Sequence, residues 1–159
     1  MTPREPFAVR LHGFARAIRR PQAALVSFLR TGLERAPHWV LLTTRGRKTG
    51  LPREVLLPCA RDGDRVLVIS TYARRSAWIK NLEACADVRL TAGGVTRDGT
   101  AEIVDDLARK HELVEEMPFI PLAPSLWLQA AVRGPLRPLA LPWLRRWVTP
   151  RPVVLIRLR

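Results

Sequence analysis

The chain of 159 residues lacks the usual marks of a secreted, metal-bound or membrane-spanning protein. Its two cysteines, Cys59 and Cys85, form no CxxC pair, which predicts reduced structural thiols of a cytoplasmic protein. His12, His38 and His111 are scattered, with no HExxH and no Cys/His cluster, so no metal site is expected. No apolar run approaches the roughly 18 residues of a membrane span. The opening MTPREPFAVRLHGF lacks the continuous apolar core of a secretory leader, so neither secretion nor insertion is expected. Lysine occurs only at 48, 80 and 110, and tyrosine only at Tyr72.

What is abundant is arginine. Basic residues number 27 against 14 acidic ones, a net charge of +13, and 24 of the 27 are arginine. Guanidinium forks suit phosphates and carboxylates, so such a surface draws a polyanion. That ligand would be nucleic acid, an anionic membrane or a phosphorylated, carboxylate-rich small molecule; a coding bias with no ligand is the plain alternative. A nucleic-acid partner is not expected, because the bases lack an interleaved aromatic platform and no helix-turn-helix or RRM signature occurs.

A single domain is expected, in four stretches. Residues 1–36 carry helical periodicity: Phe7, Leu11, Phe14 and Ile18 share a face, with Arg10, Arg16, Arg19 and Arg20 filling much of the rest. Such a basic amphipathic helix covers a core or lies on anionic lipid. Residues 37–104 read as sheet: Trp39–Thr44, Val55–Leu57, Arg65–Ser70, Asp87–Ala92 and Val95–Val104. Asp62-Gly63 and Gly93-Gly94 supply hairpin turns, Gly99 a possible bulge site, and Ser76–Ala84 a short helix. Residues 105–150 begin with a helix, 105–116, capped by Asp105 or Asp106, and continue into a proline- and tryptophan-rich segment with short helices at 126–132 and 139–148. Residues 151–159 form a sixth, closing strand. Two hairpins joined by a helix favour an antiparallel barrel within a mainly β, α+β fold.

The densest chemistry is Thr43-Thr44-Arg45-Gly46-Arg47-Lys48-Thr49-Gly50-Leu51-Pro52-Arg53. Glycines allow close backbone approach, and turn amides with Arg and Lys make an anion-binding concavity. The GxxxxGK spacing is absent, so it is no Walker A loop. Alone it reads equally as a solvated basic turn. The second piece, Ser70-Thr71-Tyr72-Ala73-Arg74-Arg75-Ser76-Ala77-Trp78-Ile79-Lys80-Asn81-Leu82, runs from a strand into a helix start whose free N–H groups suit an anion. Trp78 is alternatively a core anchor and Asn81 an ordinary surface residue.

LLTTRGRKTGLPREV, RDGDRVLVIS and AWIKNLEACADVRL, in that order, resemble the deazaflavin (F420)-dependent nitroreductase and quinone reductase family over about residues 38–104 and the closing strand. The resemblance implies a six-stranded split β-barrel of the FMN-binding, flavin-reductase type. It implies an oxidoreductase taking a hydride from reduced coenzyme F420, with FMN or haem as alternative ligands. It assigns Arg47, Lys48, Thr49 and Arg53 to the coenzyme's phosphate and acidic tail, with Gly50 and Pro52 shaping the turn. Ser70 and Thr71 would edge the ring, beside Ala77, Trp78 and Asn81. Where the family often has lysine this chain has Thr71, and Arg74 or Arg75 would supply the charge. No nucleophile is required; Ser70, Tyr72 or solvent would protonate the acceptor. A lid with Trp127, Trp143 and Trp147 would suit an apolar acceptor such as a quinone or nitro compound, unless those rings simply pack on the barrel. A homodimer is implied, and peripheral contact with the inner membrane surface is the expectation drawn from the basic helices.

Overall fold

The computed structural model describes residues 38–71, 73–119 and 126–159. The helices expected within 1–36 lie outside them. Six strands form a closed antiparallel barrel: β1 (Trp39–Arg45), β2 (Pro52–Asp62), β3 (Arg65–Ile69), β4 (Asp87–Ala92), β5 (Val95–Val104) and β6 (Val153–Leu158). Their order around the barrel is β1-β2-β3-β6-β5-β4, and β4 returns to β1 through Leu42↔Leu90. Closure leaves no free sheet edge to template aggregation.

Period-two alternation sorts the strand side chains into two cores. Val40, Leu42, Cys59, Val66, Val68, Val88, Leu90, Ala101, Val154 and Ile156, drawn from all six strands, fill the lumen. Leu67, Ile69, Val153 and Leu155 turn the other way and pack under helices. That is why β3 and β6 read as unbroken apolar runs: both of their faces are covered. The covering helices are α2 (Leu107–Glu116), α3 (Leu126–Arg133) and α4 (Arg137–Val148), through Leu113, Val114, Val132, Leu144 and Val148. Another helix, α1 (Ala77–Ala84), instead adds Trp78, Ile79 and Leu82 to the lumen cluster.

Asp106 is the cap of α2: its carboxylate accepts the Arg109 backbone N–H at 2.8 Å. Four local expectations shift. Strand β2 runs over Pro52–Asp62 and not only Val55–Leu57, because residues 52–58 pair with β1 and 59–62 with β3. The β2–β3 turn is Gly63-Asp64, one residue later than Asp62-Gly63, because Asp62 pairs with Arg65 across the ladder and bonds its guanidinium. Gly99 is not a bulge. The β5 register runs unbroken on both sides, and the glycine is needed because a Cβ there would sit 2.6 Å from the Arg157 carbonyl oxygen. The last helix starts two residues earlier than 139 and carries Pro142 within it; burial of Leu144 and Val148 outweighs the backbone bond that proline forfeits.

Candidate functional site

Arg45 pairs with Pro52 at the base of the β1–β2 hairpin, and residues 46–51 make its turn. The Gly50 N–H donates to Gly46 O at 2.7 Å and the Gly46 N–H to Leu51 O at 2.8 Å. Gly50 adopts φ +68°, and a Cβ on Gly46 would lie 2.9 Å from the Leu51 oxygen, so the turn demands glycine at both places. The Leu51 N–H also donates to Thr49 Oγ1 at 3.4 Å.

Helix α1 anchors this turn from 34 residues away. Asn81 Nδ2 donates to Thr44 Oγ1 at 3.1 Å, and Asn81 Oδ1 accepts from both the backbone N–H and Nη1 of Arg47, each at 3.3 Å. Thr44 Oγ1 in turn donates to Arg53 O at 3.3 Å. Asn81 is only 5% exposed, so the surface reading of it is corrected: it is a buried clamp between helix and loop. Trp78 serves the core and lines the site together.

Arg47, Lys48, Thr49 and Arg53 line a cavity of about 440 Å³, with Thr44, Gly46, Glu54 and Val55 of the same hairpin and Ala77, Trp78 and Asn81 of α1. A second cavity, of about 610 Å³, shares Val55, Ala77 and Trp78 with the first, so the two adjoin. Its remaining walls are apolar Trp39, Leu56, Leu57 and Pro58 on one side and Ser70, Thr71, Arg75 and Ser76 on the other. Ser76, the residue before α1, makes no side-chain cap; its hydroxyl lies 2.9 Å from Ser70 Oγ.

The charges differ sharply by location. Away from the site, Arg65 pairs with Asp62 and Glu116, Arg89 with Asp98, and Arg159 with Asp87. Arg74 bonds Glu83 and Asp105, so of the two candidate arginines it is committed elsewhere, while Arg75 lines the second cavity. Arg47, Lys48, Arg53 and Arg75 make no ion pair among the described residues. Glu54 is the single acid in the two walls. Displaced titrations lie elsewhere. Burial pushes the Cys59 thiol up to about 12. Burial, with Arg133 nearby, holds the His38 imidazole below its usual range. Among the described residues no group of His, Cys, Asp and Glu gathers to hold a metal ion, and no helix is long and apolar enough to cross a membrane.

Of the expected site residues, Arg47, Lys48, Thr49, Arg53, Ala77, Trp78 and Asn81 line the first cavity, and Ser70, Thr71 and Arg75, with Ala77 and Trp78 again, line the second. Gly50 and Pro52 line neither cavity and act through the turn; Tyr72 lies outside the described residues. Trp143 and Trp147 line neither cavity, and the side chain of Trp127 is outside the description. Sequence reasoning missed Trp39 and Leu56–Pro58. Trp39 meets Pro58 only through the β1–β2 register, a pairing no local pattern displays.

The family described as F420H(2)-dependent quinone reductase matches residues 15–119. An F420H(2)-dependent quinone reductase of Mycobacterium tuberculosis H37Rv is 38% identical over 88 residues, covering 51% of this chain and 59% of that protein. The match thus spans less than two thirds of that relative's length. A conserved hypothetical protein of M. tuberculosis has a solved structure with TM-score 0.51 at 16% identity, covering 89% of this chain and 82% of that one, a likeness of fold. With the family matched across the barrel's first five strands, the chain belongs to the F420H(2)-dependent quinone reductases.

Proposed function

We propose that this protein binds reduced coenzyme F420 and brings it against an apolar acceptor, a quinone or a nitro compound, for hydride transfer. One observation carries the reading: Arg47, Lys48 and Arg53, without acidic partners among the described residues, surround a cavity beside the uncapped start of α1. A phosphodiester with a glutamyl tail supplies the negative charge this cluster lacks. Charge-assisted hydrogen bonds contribute about 1.5–3 kcal/mol each, less where exposed, so several together dominate affinity. Asn81 holds the Arg47 end of the loop in place, which lowers the ordering cost of binding.

When bound, the deazaflavin supplies the hydride chemistry. The protein's part is placement and exclusion of water. Trp78 and Val55, common to both cavities, would lie against the ring. Trp39, Leu56, Leu57 and Pro58 offer an apolar wall for the acceptor, and Ser70, hydrogen-bonded to Ser76, places a hydroxyl in the opposite wall. Arg75 stands where it can meet charge developing on the acceptor oxygen. The two cavity volumes fall in the range of small-molecule sites. A homodimer, a cytoplasmic location and contact with the inner face of an anionic membrane extend the reading; free Cys59 and Cys85 agree with a reducing compartment.

The test is fluorescence titration with F420 and, separately, FMN, followed by reoxidation of reduced F420 with a menaquinone analogue. Lys48→Ala with Arg53→Ala is expected to weaken F420 binding at least about tenfold without changing the thermal midpoint. Unchanged affinity, or tighter binding of FMN than of F420, would overturn the assignment.

A further inference from the structure

We infer that the outward face of α4 is a lipid-docking surface that seats the protein on an anionic bilayer. Leu136, Leu139 and Trp143 recur at spacings of three and four, and are 39%, 76% and 50% exposed. Pro142 and Arg146 share that face and are exposed too. The opposite face is spent on the core through Leu144 and Val148. Trp143 stacks on Trp147 with centroids 6.0 Å apart, and the Arg151 guanidinium lies 4.1 Å from the Trp147 centroid. The stripe is therefore a held arrangement of Leu, Trp and Arg, the composition of an interfacial helix.

Charge decides the occupant. After Glu116 the chain has no acidic residue, while arginine occurs at 133, 137, 145, 146, 151, 157 and 159. Arg145 is neutralised by Glu115. Arg133, Arg137 and Arg151 donate to carbonyl oxygens of Pro118, Glu115 and Trp147, which leaves their charge intact, and Arg146 has no acidic partner among the described residues. A two-fold copy of the chain on this face would set arginine against arginine. A protein partner needs roughly 800 Å² on each side, beyond the reach of one convex stripe on a helix about 18 Å long. The same length is too short for the roughly 30 Å hydrocarbon core, so the helix lies in the headgroup layer. Leucine and tryptophan enter the acyl boundary while the arginines meet lipid phosphates. The family match ends at residue 119, so this surface is a feature of the chain beyond the matched region. The inference rests on the membrane contact proposed above, to which it gives a surface, and is independent of the coenzyme assignment.

The experiment is co-sedimentation of the full chain with vesicles of phosphatidylglycerol and phosphatidylcholine in equal parts, against phosphatidylcholine alone. Expected is binding to the anionic vesicles that falls with added salt, and a loss of about tenfold or more in Leu139→Ser with Trp143→Ser. Leu139→Glu, at a side chain already in water, is expected to lose binding without touching the fold. F420 affinity is expected to stay at the wild-type value in both. No binding by the wild type, equal binding by Leu139→Glu, or a comparable loss in Lys48→Ala with Arg53→Ala would overturn the proposal. A wild-type dimer that Leu139→Glu dissociates, with no vesicle binding, would reassign the face to self-association and overturn it as well.

Discussion

The hairpin end of the barrel and the helical wall over β3 and β6 use the same residue types to opposite ends. At the wall, Leu67, Ile69, Val153 and Leu155 are sealed beneath α2–α4, and nearby arginines such as Arg65 and Arg145 are tied to Asp62, Glu116 and Glu115. At the hairpin the polar groups that are buried, Thr44 and Asn81, are bonded to one another, while Arg47, Lys48 and Arg53 are left without acids. The difference shows that an arginine-rich composition is not by itself a binding signal. What marks a site is where the charge is left uncompensated beside a cavity.

The contrast can be broken hardest at the wall. Leu155→Ala should lower stability by about 2–5 kcal/mol in chemical denaturation while the folded fraction keeps its F420 affinity. Asn81→Leu sits between the two regions. It should cost about 1–3 kcal/mol by stranding Thr44 and the Arg47 amide, and should also weaken F420 binding, unlike any substitution at the wall. Cys59 tests the lumen. Its thiol ionises near 12 when folded against 9.0 in the ordinary state, so its contribution is complete below pH 9 and is lost as pH rises toward 12. Urea titrations should show stability falling by up to about 1.4 kcal/mol per pH unit more in the wild type than in Cys59→Ala in that window. Arg145→Ala, removing an exposed pair with Glu115, should lower stability by no more than about 1 kcal/mol in chemical denaturation. The smallest effect is at His38. Its lowered titration means stability held above its ordinary value of 6.5 and lost as pH falls below it, and melting curves of His38→Gln should be flatter across that range.

Much of the barrel was legible because its signals are local. Alternation in Asp87–Ala92, the glycine turns and the apolar runs of β3 and β6 each arise within a few residues. The misses were contacts between distant segments. Gly99 looked like a bulge, yet its role is to admit the Arg157 backbone from β6. Asn81 read either as a site residue or as surface, and its clamping role was hidden because its partners, Thr44 and Arg47, come from another strand and another turn. The helix expected at 139–148 is there with Pro142 inside it, and packing of Leu144 and Val148 carries it through the proline.

By itself, then, the sequence determined where five of the six strands run and the glycine-bearing basic turn, since each depends on spacing along a short stretch of chain; the full length of β2 it did not. Tertiary structure alone decided which arginines found acids and which did not. It also set α1 against the β1–β2 turn, because barrel closure, and no local preference, brings segments more than thirty residues apart within hydrogen-bond distance.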